Sequence, residues 1–347
     1  MRWSWPSIWT NLAYALWTAE HHFQREGYEV FPNLNLLGVH LAGVTKKLKF
    51  GAGFNVVPMW HPLRLAEDFA MADVLTGGRL IFGVGRGYHS REVETFGAPV
   101  IDNDANKELF EEQMEIILKA FNEDSFSHHG KHYDIPPDVP YRGYQLKDIT
   151  LVPRPINLPV EIWQPIASGR TLEYIAQKGF KAVVALTGEV LVKQMFAQYQ
   201  AAANKAGRQL AFGQDMCLGI GFYIGDSQQD AIDKVRPYHD ERYKWFAVFG
   251  FVRYTDSEGR PWGTPGAPVG APSIEDGVQQ KAWFCGTTGE FIKYLREMEE
   301  TYPGLEDFIL QWPEGMPWAE FKDQLSVFAK EVMPAFTGQI SAAAAGD

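Results

Sequence analysis

The sequence predicts an α/β fold of the TIM (β/α)8 barrel class, on three observations. Short apolar runs alternate with amphipathic helical stretches along the chain. The runs are continuously apolar, as expected of strands buried on both faces of a parallel sheet. The chain has 347 residues, within the range of about 200 to over 400 that such barrels occupy as one domain.

The elements follow in order. ALWTAE (15–20) precedes a helical stretch at 32–47. LKFGAGFNVV (48–57) precedes PLRLAEDFAMADVLT (62–76), whose Pro62 suits a first helical turn. RLIFGVG (79–85) precedes a long helix at 106–121, VEIWQPI (160–166) one at 169–179, and KAVVAL (181–186) one at 189–207. MCLGIGFYI (216–224) precedes a helix at 227–249. A helix at 290–302 leads to DFILQW (307–312) and a last helix at 318–336. This gives seven strands. The stretch ahead of Leu16 is too short for a strand and crossover helix, which need roughly 20 residues, so the first strand/helix unit is expected to be missing or atypical. One barrel domain over 1–347 is expected, with a hairpin insertion at 122–158 and a Gly/Pro-rich loop at 252–282 that reads as a lid.

Composition narrows the class of function. Lys and Arg number 32 against 43 Asp and Glu, a net charge of −11. No basic stripe interrupts that balance, so nucleic acid is not an expected partner. Two cysteines, Cys217 and Cys285, are too few for a disulfide framework and suggest a reducing compartment. No apolar run reaches the ~18 residues that span a bilayer, and the N-terminus has no signal-peptide pattern. A soluble cytoplasmic enzyme is expected.

In a barrel, chemistry sits at the carboxyl ends of the strands. Those ends carry Glu20-His21-His22, Asn55, Arg86, Gln164 and Ser168 to Thr171. Successive strand side chains face opposite ways, so His21 and His22 cannot both enter the mouth unless the chain turns. Adjacent histidines are for that reason poor joint ligands. His128, His129 and His132 lie in a turn-rich hairpin and read as solvated, so no metal is expected. FGVGRGY (82–88) lacks the G-x-G-x-x-G dinucleotide pattern. It suits a backbone that approaches something flat or anionic, with Arg86 supplying charge. Ser168 reads as the cap of a helix, and together with Thr171, Arg170 and Arg86 it suits a phosphate.

These residues resemble the bacterial luciferase family of flavin-dependent monooxygenases. The segments that carry the resemblance are AEHHF, GAGFNVVPMWHPLRLAEDFAMADVLTGGRLIFGVGRGY, SREVETFG, SGRTLEYIAQKGF and FAKEVMPAF, spread over 16–336. The resemblance implies a TIM barrel and a reduced FMN that activates dioxygen inside a cavity closed to water. It gives His21 the role of general base, with His22 beside it. Arg86, Ser168 and Thr171 fall at the flavin phosphate, although Ala167 stands where luciferase has an acid. Gly53-Phe54 falls where luciferase has a non-prolyl cis peptide beneath the ring, next to the cofactor-binding candidate Asn55, and Glu92 falls near the ring's pyrimidine edge. Gly85 replaces luciferase's reactive cysteine. The implied partners are a small, largely apolar substrate such as an aldehyde, a separate flavin reductase and a second copy of the chain in a homodimer. Aromatic and Met residues near the strand ends (Phe54, Met59, Trp60, Trp163, Trp312) support an apolar substrate. The alternatives are a deazaflavin-dependent oxidoreductase that transfers hydride without oxygen, and a flavin-binding relative without activity.

Overall fold

The computed structural model describes residues 15–23, 31–166 and 168–336. The chain forms two compact units that divide at Gln164 and Pro165.

The first unit is built on a parallel sheet. Strands β1 (Ala15–Thr18), β2 (Lys49–Ala52), β4 (Leu80–Gly85) and β9 (Ile162–Pro165) follow one another in it, and β3 (Asn55–Val56) adds to β4. The register sets Thr18 beside Ala52, Gly51 beside Ile81 and Gly83 beside Trp163. Helices α1 (Leu34–Val44), α2 (Pro62–Thr76), α3 (Ser90–Val93) and α4 (Asn103–Asn122) connect them. Asn33 caps α1 by accepting from the Leu36 N–H. Pro62 opens α2, and Gly77 closes it in the left-handed conformation, φ 69°. Asp102 accepts from the Asp104 and Ala105 amides to start α4.

All six residues of β4 are buried, as the continuous apolar run predicts. Phe82 meets Phe69 of α2 and Phe121 of α4, with centroids 4.5 and 5.5 Å away. Each such buried ring stabilises by roughly 1.5–3 kcal/mol. Strand β4 passes so close to β2 that a Cβ on Gly83 would lie 1.6 Å from the Ala52 carbonyl oxygen. Only glycine fits there.

The insertion at 122–158 contains two small antiparallel hairpins, β5 (His128–His129) with β6 (Asp134–Ile135), and β7 (Pro140–Tyr141) with β8 (Tyr144–Gln145). Its histidines are not all solvated as expected. His128 is buried and bonds Oε1 of Glu112 through Nε2 at 3.1 Å. That carboxylate also accepts the His132 and Tyr133 amides, so Glu112 clasps the hairpin to α4.

In the second unit, helix α5 (Gly169–Lys178) precedes β10 (Lys181–Ala185), α6 (Glu189–Lys205) and β11 (Met216–Ile224). Then come α7 (Gln228–Phe246), α8 (Ile274–Gln279), β12 (Trp283–Gly286), α9 (Thr288–Thr301), β13 (Asp307–Gln311) and α10 (Trp318–Val327). All nine residues of β11 are buried. It pairs in parallel with β10, β12 and β13.

Strand β12 is absent from the seven-strand reading. Four residues behind a Gly/Pro-rich stretch give too short an apolar run to stand out. The residues ahead of Ala15, where a missing first unit was expected, lie outside the described residues. The 252–282 stretch is not structureless. Thr187 bridges Arg253, Thr255 bridges Pro261, Tyr254 and Ile274 are fully buried, and a Ser273/Asp276 capping box starts α8.

Candidate active site

Three side chains of the first unit converge on the imidazole of His21. The ring leaves the end of β1 and is buried, 5% exposed. Its Nδ1 lies 3.2 Å from both carboxylate oxygens of Glu92, and its Nε2 lies 3.3 Å from the hydroxyl of Tyr88. His89 meets the same ring edge-on, with centroids 5.3 Å apart.

The turn from β4 into α3 positions these partners. Gly87 there has φ 78°, which an L side chain rarely adopts. A Cβ on it would fall 2.6 Å from Val93 and 2.7 Å from Val56. The glycine thus lets Tyr88, His89 and Glu92 fold back over His21.

The electrostatics fix the proton. Burial works to raise the Glu92 carboxyl, but the His21 hydrogen bond and charge and the His22 amide outweigh it, and the group stays below its ordinary value. An ionised carboxylate only accepts, so Nδ1 of His21 carries the hydrogen. In the neutral ring Nε2 then holds a lone pair that accepts from the Tyr88 hydroxyl, whereas in the imidazolium Nε2 donates to that hydroxyl instead.

His22 turns the other way, as the strand pleat predicts. Its Nε2 donates to Oε1 of Glu20 at 3.1 Å, and its ring packs edge-on against Phe96. Glu20, only 2% exposed, also accepts the Trp60 indole N–H at 2.9 Å and the Val56 amide at 2.6 Å. The AEHH stretch therefore splits its work. Glu20 and His22 anchor the backbone beyond β2, while His21 faces Glu92 and Tyr88.

The residues expected beneath the flavin ring lie in the same unit as this cluster. The Gly53-Phe54 peptide is cis. The Trp17 indole lies across Gly51, where a Cβ would come within 2.4 Å of it. Trp17 packs 4.9 Å from Trp163 and 6.4 Å from Phe54. Gly85 faces the Phe54 side chain, 3.3 Å from where its Cβ would be. Asn55 donates through Nδ2 to the Gly83 carbonyl at 3.0 Å. Its Oδ1 is buried with no hydrogen-bond partner, an acceptor awaiting a donor such as a ring N–H. These residues fit an isoalloxazine.

Arg86 points at the start of α4, where Nη1 donates to Oδ1 of Asn103 at 3.0 Å and of Asn106 at 3.2 Å. In the second unit, Ser168 caps α5 as expected. Its Oγ accepts the Thr171 amide at 3.2 Å and lies 3.0 Å from Oγ1 of Thr171. Arg170 is exposed on the same first turn. Ala167 lies outside the described residues. Sequence reasoning missed Tyr88, His89 and the anchoring role of Glu20. A tyrosine and a histidine directly after the glycine-rich turn were the available signal for the first two.

A family profile of luciferase-like monooxygenases matches residues 14–303. The chain belongs to the luciferase-like monooxygenase family. It is 25% identical over 338 residues to the oxygenase component of a flavin-dependent trigonelline monooxygenase from Acinetobacter baylyi, covering 93% of this chain and 86% of that one. Two solved structures share its fold. A monooxygenase from Streptomyces bottropensis superposes with a TM-score of 0.75 at 20% identity, over 95% of this chain and 91% of the other. The oxygenating constituent of 3,6-diketocamphane monooxygenase from Pseudomonas putida, in complex with FMN, does so with 0.71 at 21%, over 92% and 88%. As expected, the fold class is the α/β TIM-barrel type of this family, and the chain is a flavin-dependent oxygenating enzyme.

Proposed function

We propose that the protein uses reduced FMN and dioxygen to oxygenate a small, largely apolar organic substrate, with His21 as its general base. The observation that carries this reading is the buried His21 held between Glu92 and Tyr88. When bound, the reduced flavin supplies the electrons that activate dioxygen. Glu92 orients His21 and keeps hydrogen on Nδ1, so that Nε2 is the atom that takes and returns a proton. Tyr88 holds that nitrogen until substrate or cofactor engages it. Gly53, Phe54 and Asn55 would lie beneath the ring, with Asn55 Oδ1 accepting from it. Trp17, Met59, Trp60 and Trp163 supply apolar walls that exclude water and favour an apolar substrate. Trp312 belongs to a separate stack on Phe321, with centroids 4.7 Å apart, and is left out of this lining.

As candidates for the flavin phosphate we keep Arg86 of the first unit, which donates to Asn103 and Asn106, and, in the second unit, the Ser168/Thr171 cap with Arg170. The 252–282 stretch is proposed as a lid. The relative's designation as an oxygenase component supports a separate reductase as the source of reduced FMN. A homodimer is supported by exposed Leu36 and Val44 on α1 and Met71, Val74 and Leu75 on α2, an apolar face that a second copy would cover. Among the described residues no helix is long and apolar enough to cross a membrane. Two buried, unpaired cysteines support a cytoplasmic setting.

The test mixes enzyme and photoreduced FMN with labelled dioxygen (18O) and a panel of medium-chain aldehydes and cyclic ketones. One labelled oxygen atom should appear in product. Turnover with reduced deazaflavin and no oxygen uptake would replace the reading with hydride transfer. FMN binding without any product from the panel would remove the proposed substrate class.

A further inference from the structure

We propose that His21, His89 and Glu92 form a binding site for a divalent transition ion of the zinc class. One ligand atom from each of the three lies within 4.8 Å of the others, the one such group of three among the described residues. The carboxylate and the His21 Nδ1 stand 3.2 Å apart. Two ligands of a tetrahedral zinc ion, at bonds of about 2.0–2.1 Å, are separated by about 3.3 Å. That edge of a coordination shell therefore exists already.

The third ligand, His89, lies within 4.8 Å of the other two and must close on them. His89 and Glu92 stand three residues apart at the first turn of α3, a spacing that brings side chains to one side of a turn. The His21 and His89 rings meet at 86° with centroids 5.3 Å apart, and His89 is half-buried. Tyr88 steadies the far nitrogen of His21 at 3.3 Å. Arg91 is the competing cation, its Nη2 3.8 Å from Glu92. Its side chain is 45% exposed and has solvent to swing into.

The donor set selects the ion. Two imidazoles and one carboxylate suit Zn2+, Co2+, Ni2+ or Cu2+, whereas Mg2+ and Ca2+ demand a shell of oxygens. Coordination at Nδ1 of His21 releases the proton now shared with Glu92 to solvent, and the carboxylate turns its charge from that N–H to the metal. The expectation of no metal arose because the histidines were sought by spacing along the chain. Here residue 21 meets residues 89 and 92 only through the fold.

If His21 is the general base proposed above, an ion in this site inhibits turnover reversibly, and chelator restores it. Binding itself is read without turnover, so failure of the one is distinguishable from failure of the other. The full-length protein is titrated calorimetrically with Zn2+ and with Mg2+. The tightest Zn2+ site should bind one ion per chain, with no heat from Mg2+. His89→Gln and Glu92→Gln should each weaken it at least tenfold, while His128→Ala leaves it unchanged. Cu2+ loaded at one equivalent should show coupling to two nitrogens by electron paramagnetic resonance, falling to one in His89→Gln. Zn2+ affinity unchanged in His89→Gln, loss of binding in His128→Ala, equal binding of Mg2+, or a Cu2+ spectrum indifferent to His89 would each overturn the proposal.

Discussion

Glu92 presents both carboxylate oxygens to Nδ1 of His21, each at 3.2 Å, although 71 residues separate the two in sequence. The pairing decides which ring nitrogen carries hydrogen, and hence which face of the imidazole can act as a base. Glu92→Gln keeps the shape but removes the charge, and its amide can offer Nδ1 a donor instead of an acceptor. His21→Ala removes the ring. Both are expected to lower turnover about 100-fold or more, the usual scale of a lost general base, with FMN affinity within about threefold of wild type in His21→Ala, whereas Glu92→Gln should also weaken FMN because that carboxylate is expected near the ring. Stopped-flow turnover with parallel FMN titration measures both. Wild-type turnover in His21→Ala would remove this residue from the chemistry.

Tyr88 supplies the other end of the same imidazole. Tyr88→Phe leaves the ring packing of residue 88 in place and deletes only the hydroxyl that faces Nε2. A single hydrogen bond of this kind contributes about 0.5–1.5 kcal/mol, so folding stability should change by no more than that. Turnover should fall more than FMN affinity, since the imidazole has lost its neighbouring hydroxyl. Wild-type turnover in Tyr88→Phe would show that the hydroxyl plays no part in positioning the base.

Glu20 acts through the backbone. Its carboxylate accepts from Val56, Trp60 and His22 together, and it is nearly inaccessible to water. Glu20→Ala leaves buried donors without an acceptor, each costing roughly 1–3 kcal/mol. The expected loss is about 3 kcal/mol of unfolding free energy in a urea titration, with FMN affinity falling too because the segment at 53–56 is no longer tied down. A loss below about 1 kcal/mol would mean that water reaches these donors easily.

Gly87 is the hinge on which Tyr88, His89 and Glu92 turn. At φ 78°, with Val56 and Val93 closing on the place of a Cβ, Gly87→Ala combines backbone strain of about 1–3 kcal/mol with a clash. We expect lower stability by at least that amount and a larger fall in turnover than in FMN binding. Gly97, also at positive φ but with nothing near its Cβ position, is the control. Gly97→Ala should cost only the backbone part.

Most of the fold was legible because its signals are local. Continuous apolar runs marked β4 and β11, Pro62 opened α2, and the Ser168 cap could be read from its own four residues. Strand β12 escaped because four residues after a glycine-rich stretch carry little pattern. His128 reads as solvated in the sequence because its half-buried partner, Glu112, lies on a helix 16 residues earlier. At the site, resemblance supplied His21 and Glu92 separately. Their contact with each other, with Tyr88 and with His89 is a product of the turn at Gly87, and no periodicity encodes where a turn sends its side chains.

The pH dependence of stability offers a last prediction, centred on His239 of α7. The side chain is fully buried, its Nδ1 donates to Asp240 at 3.1 Å, and its Nε2 has no hydrogen-bond partner. Burial lowers its pKa below the ordinary 6.5, against the opposing pull of Asp240 and Glu275, while Arg242 adds to the lowering. In the unfolded chain the group takes up a proton once pH falls below about 6.5, whereas the folded chain resists it. The unfolded state then binds more protons, so stability is full above that pH and declines as pH drops toward the folded value. His239→Gln should flatten this decline below about pH 6.5, whatever its effect on stability at neutral pH. Urea unfolding across that range decides it, and equal slopes in wild type and variant would mean that another group governs the window.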